Sequence, residues 1–255
     1  MDLNLHGKVA FVAGSSNGIG LSVVTQMHAE GASVVITGRT SERVEKAATT
    51  LRNLDSSRVL TFVGDLATTA GAHEALQATL DRFHRLDIVI GCIGDGQGRL
   101  GWSQGAATWS DTFGKNLWPA IRLCEEAIPI LSEQPTSSVV LVGSISGRER
   151  MGPIAYGTAK AALAAYSSKL AAEVASMGIR VNCVEPGNVL VPGGRWQERL
   201  QEEPERINSM LEREVLLKRF GTPEEIASVI TFLASERSSF VTAARIVVDG
   251  GQTRD

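Results

Sequence analysis

Tyr156 and Lys160 lie four residues apart in an Ala-rich run, residues 155–177, whose composition predicts a helix. At that spacing the two side chains share one helix face, one turn apart. A free phenol has a pKa of about 10 and exchanges protons poorly at neutral pH. A fixed ammonium nearby favours the phenolate, which makes a tyrosine a usable general acid/base. Ser144 follows the apolar, β-branched run 139–142 and shares a loop with Ser146 and Gly147. From there its hydroxyl can hold a carbonyl oxygen beside the phenol. Taken alone, the Tyr/Lys spacing reads as a solvated helix face, so the chemistry depends on the elements around it.

Residues 8–13 (KVAFVA) predict a buried strand, followed at once by Gly14-Ser15-Ser16-Asn17-Gly18-Ile19-Gly20 and a helical pattern to about residue 30. In the order strand, glycine-rich turn, helix, the glycines admit a closely approaching ligand backbone. The helix N-terminus offers N–H groups and a positive dipole end to a pyrophosphate. The next apolar run, 33–37, ends in Gly38-Arg39-Thr40. An acidic residue at that point of a βαβ unit would bind a ribose 2′-hydroxyl and repel a 2′-phosphate. Arg39 stands there instead, with donors suited to phosphate, which favours NADP over NAD.

Residues 59–63 predict a third strand, followed by Asp65 and Leu66. Asp65 either accepts from an adenine amino group or caps the next helix, and the two are compatible. Residues 86–93 predict a fourth strand leading into a glycine-rich loop, 94–101. The run 108–131 has helical spacing with Pro119 inside it. That proline withholds the N–H due to the Lys115 carbonyl and should bend the helix beside Asn116. Asn116 is then either a site for a bound water or an ordinary surface residue. Residues 180–184 predict a sixth strand and 244–249 a seventh. Between them, 189–213 is charged and broken by Pro and Gly, a candidate substrate lid. Trp196 and Leu200 form its apolar underside or dock a surface helix. Strands alternating with helices predict an α/β fold, a parallel sheet covered on both faces, as one domain over 1–255.

The 255 residues are 43% apolar with net charge −3 and no basic block, so nucleic acid and anionic membranes are not expected partners. Cys92, Cys124 and Cys183 are far apart, and the four histidines share no motif. These features predict a reduced, cytoplasmic protein with no metal site and no disulfide framework. No stretch reads as a signal peptide or a membrane span.

Together these residues resemble the classical short-chain dehydrogenase/reductase family, and more narrowly its 3-oxoacyl-carrier-protein reductases. The resemblance spans the chain: Gly14, Gly18 and Gly20; Asp65-Leu66; Asn116-Leu117; Ser144; Tyr156 and Lys160; Asn182, Pro186 and Gly187; the Arg219 to Ala227 motif; and Val248-Asp249-Gly250-Gly251. It implies a doubly wound Rossmann fold with a seven-stranded parallel sheet in order 3-2-1-4-5-6-7, usually a homotetramer. It implies that Tyr156 is the acid/base, that Lys160 tunes it and holds the nicotinamide ribose, that Ser144 positions the carbonyl, and that Asn116 anchors a relay water. The cofactor, NADP(H), would be met by Gly14, Ser16, Asn17, Gly18, Ile19 and Gly20, by Arg39 and Thr40, by Asp65 and Leu66, by Gly94, by Tyr156 and Lys160, and by Pro186, Gly187 and Val189.

Four positions depart from the family pattern. Gly91-Cys92-Ile93-Gly94 replaces an Asn-Asn-Ala-Gly segment, Val191 replaces a threonine, and Ala243 replaces a glycine. Ser144 also precedes Tyr156 by one residue fewer than is commonest. The expected activity is NADP(H)-dependent interconversion of a ketone and a secondary alcohol. The alternatives are an inactive NADP(H)-binding regulator or scaffold and an NAD-dependent secondary-alcohol dehydrogenase. Arg148 and Arg150 either line a solvated loop or meet an anionic substrate.

Overall fold

Apolar runs without polar interruption need cover on both faces, and a parallel sheet between helix layers supplies it. In the computed structural model, which describes residues 2–96, 98–150 and 152–254, all seven runs form one sheet. Gln97 and Met151, two positions in the loops around the expected site, lie outside the described residues. The strands are β1 Val9–Ala13, β2 Ser33–Gly38, β3 Val59–Val63, β4 Ile88–Gly91, β5 Ser137–Val142, β6 Ile179–Pro186 and β7 Arg245–Val248. Every pairing is parallel and the order is 3-2-1-4-5-6-7, the arrangement that the resemblance implied.

Within each central strand the side chains alternate between two cores. Ala10 and Val12 of β1 and Val140 and Val142 of β5 face one core, where they meet α1 (Gly18–Ala29), α2 (Ser41–Asp55) and α9 (Pro223–Ala234). Val9, Phe11 and Ala13, with Val139 and Leu141, face the other. There they meet α3 (Thr69–Phe83), α5 (Trp118–Leu131) and α6 (Ile154–Val174). Fully burying a side chain such as Phe11 or Leu141 contributes about 1.5–3 kcal/mol, so β1 and β5 are fixed from both sides and their C-terminal ends are rigid platforms.

The expected helix over 108–131 is two helices. α4 (Gly105–Asn116) ends, Leu117 leaves the helical conformation at φ −125° and ψ −59°, and α5 begins at Trp118. Pro119 therefore serves as a first-turn residue of a new helix, where a missing N–H is harmless, rather than as a kink within one. The last strand is reached through Ala243, whose φ of +57° is left-handed. Its N–H bonds the Val181 carbonyl, while Asn182 holds the same turn with its Oδ1 on Ala244 N and its Nδ2 on Val241 O. An alanine in that conformation costs about 1–2 kcal/mol, of which glycine's extra unfolded-state freedom cancels part. Ala243→Gly is thus expected to raise stability by about 1 kcal/mol, or about 2–4 °C in Tm. Thermal unfolding checks this, and an unchanged or lower Tm would show the turn to be unstrained.

Residues 189–213 contain α7 (Arg195–Glu202) and α8 (Pro204–Glu214). Trp196 meets Phe220 with tilted rings whose centres are 5.4 Å apart, and with Leu200 it packs on Ile207, Leu211 and Val215. The apolar side of α7 therefore packs into a small core with α8 and with Val215 and Phe220 beyond the segment, as a docked surface helix does.

Candidate active site

The turn after β1 is braced before any ligand is considered. Ser15 Oγ donates to Val12 O and accepts from Thr37 N, and Thr37 Oγ1 donates to Val12 O and accepts from Gly14 N. Gly14 has φ +76°, and a Cβ there would stand 2.7 Å from the Cys92 carbonyl; a Cβ on Gly20 would stand 2.3 Å from Gly14 O. No larger residue fits either position. Asn17 caps α1 with its side chain on Gly18 N, which puts Gly18, Ile19 and Gly20 in the first turn.

A cleft of about 450 Å³ opens from this turn along the C-terminal ends of β1, β2, β3 and β4. Gly14, Ser16, Arg39, Thr40, Asp65, Leu66 and Gly94 all line it. Asp65 does not cap α3, a task that falls to Thr68 through Gly71 N; its Oδ1 instead accepts from Ala67 N. Arg43 and Lys115 also border the cleft, and sequence reasoning missed both. Arg43 left a usable signal, since it follows Arg39 by four residues and puts a second cation into the first turn of α2, where the helix dipole disfavours it. Clustered cations, a glycine turn and a helix N-terminus together suit an anionic dinucleotide.

Asn116, Tyr156 and Lys160 lie near one another beside Gly94, a residue of the cleft lining. Lys160 is buried and its Nζ donates to the Val142 carbonyl at 2.9 Å, two residues before Ser144. The same nitrogen lies 6.0 Å from the centre of the Tyr156 ring. A Cβ on Gly94 would come within 3.1 Å of Lys160 Nζ and 3.0 Å of Asn116 Oδ1, so the backbone at Gly94 forms the floor between them. Asn116 is no ordinary surface residue: it is 3% exposed, its Oδ1 accepts from Asp95 N, and its Nδ2 donates to Thr112 O. The loop after β4 is thereby pinned to the break between α4 and α5. Burial pushes the Cys92 thiol up to about 11, against a lowering by the Lys160 charge, so the residue that replaces an asparagine here is a neutral thiol.

Ser144 caps a single 3-10 turn, Ile145–Gly147, by accepting from Ser146 N. That turn is seated on α6 through two glycines. A Cβ on Gly157 would lie 2.6 Å from Ser146 O, and one on Gly147 would lie 2.8 Å from Ala161 N. On the outer side the loop after β4 covers the start of α6, with Gly98 against Pro153 and Tyr156. Arg195 of α7 donates to Gly96 O in the same loop. A polar hollow of about 510 Å³ lies between this loop, α4 and α7, bordered by Asp95, Arg99, Lys115, Asn116, Arg195 and Glu198.

Other expected contacts follow the C-terminal end of β6. Pro186 ends β6, and Gly187 follows it, packed on Asp249. Val189 is buried in a bridge with Gly221, and Val191 packs against Gly18. Arg148, on the loop before Tyr156, is paired with the buried Glu185. A larger hollow, about 600 Å³, opens at the opposite end of the sheet, but its charges are already engaged. There Asp87 holds Arg85 and Lys8, while Arg180 donates to the carbonyls of Leu233, Ser235 and Val241. Among the described residues no His, Cys, Asp and Glu group is placed to hold a metal ion, and no helix is long and apolar enough to cross a membrane.

Comparison with known proteins agrees with this geometry. A family model described as Enoyl-(Acyl carrier protein) reductase matches residues 13–253. The chain is 33% identical to the 3-oxoacyl-(acyl-carrier-protein) reductase of Chlamydia pneumoniae, over 99% of this chain and 100% of the relative. It is also 33% identical to cyclohexanol dehydrogenase of Rhodococcus sp., over 99% and 98%. Among solved structures, L-sorbose reductase of Gluconobacter frateurii, in complex with NADPH and L-sorbose, superposes with a TM-score of 0.94 at 30% identity over 100% of both chains. With the sheet order, the glycine turn and the Tyr156–Lys160 pair, these similarities place the chain in the classical short-chain dehydrogenase/reductase family of oxidoreductases.

Proposed function

We propose that the protein interconverts a ketone and a secondary alcohol with NADP(H), using Tyr156 as general acid/base. The observation that carries this reading is the convergence of Lys160, Asn116 and the Gly94 backbone beside Tyr156, with Gly94 lining a cleft that Arg39 and Arg43 also line. The names of three relatives point the same way, to a 3-oxoacyl group, to cyclohexanol and to L-sorbose. When bound, the reduced nicotinamide supplies a hydride to the carbonyl carbon. Tyr156 gives its hydroxyl proton to the carbonyl oxygen, and Ser144 donates a hydrogen bond to the same oxygen. The Lys160 ammonium stabilises negative charge on the phenol oxygen as that proton leaves. Asn116 holds the loop after β4 in the shape that leaves this space open.

Arg39 and Arg43 favour NADP(H), because a 2′-phosphate offers two cations a partner that a 2′-hydroxyl does not. The segment 189–213 is a substrate lid in this reading, tied to the loop after β4 by Arg195. The chain would work as a homotetramer, in keeping with exposed Trp118, Leu216, Leu217 and Phe240 on its surface. Light scattering reads that directly. The activity is tested by following NADPH and NADH consumption against a panel of ketones, and NADP and NAD reduction against secondary alcohols. Turnover with NADPH preferred is the expected result. Tight NADPH binding with no turnover on any member would replace this reading with that of a cofactor-binding regulator.

A further inference from the structure

Glu185 is a carboxylate 1% exposed inside β6, one residue before Pro186. Two guanidiniums reach it. Arg148 Nε donates to Oε2 at 2.5 Å, and Arg245 donates to Oε1 from Nε at 2.8 Å and Nη2 at 2.7 Å. Arg245 comes from the neighbouring edge strand β7, whereas Arg148 ends the 3-10 turn that Ser144 begins. The stem of Glu185 lies directly against the backbone before Ser144, because a Cβ on Gly143 would stand 3.2 Å from Glu185 Cγ. An apolar side chain of similar volume would serve the stability of the sheet at least as well as a buried ion pair. What the carboxylate adds is direction.

The turn is held at both ends. On its entry side Gly143 N donates to Val184 O at 2.7 Å, a fixed backbone bond of the sheet. On its exit side Arg148 N closes the turn on Ile145 O, and the Arg148 side chain returns to Glu185. Between these ends the turn rests on α6 at Gly157 and Ala161, next to Tyr156 and Lys160. The turn that Ser144 caps is thus tied at its exit to a carboxylate 37 residues beyond Arg148.

We propose that Glu185 is a positioning residue for the carbonyl step: through Arg148 it fixes the turn that carries Ser144 on the first turns of α6, while Arg245 anchors the carboxylate from the far side. The inference rests on the ketone–alcohol reading above, and two readouts keep the two separable. The first is steady-state kinetics of Glu185→Gln, Arg148→Ala and Arg245→Ala, each with Ser144 intact and in a Ser144→Ala background. A misplaced contact of this kind costs up to about 100-fold. With Ser144 present, kcat is expected to fall about 10- to 100-fold in Glu185→Gln and Arg148→Ala, with NADPH affinity held within about twofold. In the Ser144→Ala background the same changes should cost nothing further, because the contact they position is gone. Arg245→Ala should lower kcat less than about threefold. Unchanged kcat, or losses that multiply with that of Ser144→Ala, would overturn the proposal.

The second readout needs no turnover. Amide hydrogen exchange over 143–149 should quicken about tenfold or more in Glu185→Gln and Arg148→Ala, with β1 and α9 unaffected. Unaltered exchange there, or an increase spread evenly over β6 and β7, would assign the cluster a purely structural role and overturn the inference. If the wild-type enzyme turned over no ketone, the functional reading would fail while the exchange data still decided whether the tether exists.

Discussion

Tyr156→Phe is expected to lower kcat for ketone reduction by about 10²- to 10⁴-fold, the usual contribution of a positioned general acid. The substitution removes one hydroxyl and keeps the ring and its stem, so the contact of Gly98 with the Tyr156 Cβ is retained. Lys160 also keeps its place, because its fixed partner is the Val142 carbonyl rather than the phenol. NADPH affinity should therefore change by no more than a few-fold, and the loss should appear in kcat rather than in cofactor binding. Ser144→Ala should cost less, because it removes a hydrogen bond to the carbonyl oxygen and leaves the proton donor in place. Equal turnover by the wild type and Tyr156→Phe would remove the phenol from the mechanism and leave the proton to water or to another group.

The physical basis of that placement was only partly visible in the chain. The strands announce themselves because a sheet buried on both faces needs unbroken apolar runs, and 139–142 or 9–13 contain nothing else. Their ends are less legible. β6 runs on to Pro186 because Glu185, a charge that would mark a strand end in sequence, is neutralised by arginines from elsewhere in the chain. The Tyr156–Lys160 pair could be read because both partners sit on one helix. The Arg148–Glu185 pair could not, since 37 residues and a helix separate them. Asn116 was recognisable as an element near a helix break, but its bonds to Asp95 and Thr112 depend on where the loop after β4 folds. Pro119 signalled the break itself; it did not reveal that the chain restarts as a new helix one residue later. Trp196 shows the same limit, since an amphipathic pattern does not say which surface its apolar side will find.

Arg39→Ala with Arg43→Ala is expected to weaken NADPH binding by about 10²- to 10³-fold while changing NADH binding by no more than a few-fold. Charge-assisted hydrogen bonds are worth about 1.5–3 kcal/mol each, and about 1.4 kcal/mol is tenfold in affinity, so two such residues span about 10²- to 10⁴-fold. Both side chains are solvent-exposed at the cleft mouth, which argues for the lower part of the range and for a preference that narrows at high salt. Their location also argues for a ligand role over a structural one. Thr40 caps α2 without a side-chain hydrogen bond, and Arg43 lies in its first turn, where a cation works against the helix dipole. Removing the Arg43 charge should therefore leave thermal stability unchanged or slightly higher in the free protein, while the cofactor preference collapses. Those two measurements separate the possibilities cleanly: a folding role would lower Tm and weaken both cofactors alike. A double variant that kept the wild-type ratio of NADPH to NADH affinity would take both arginines out of cofactor choice and move the question to Lys115 and Thr40 on the same rim.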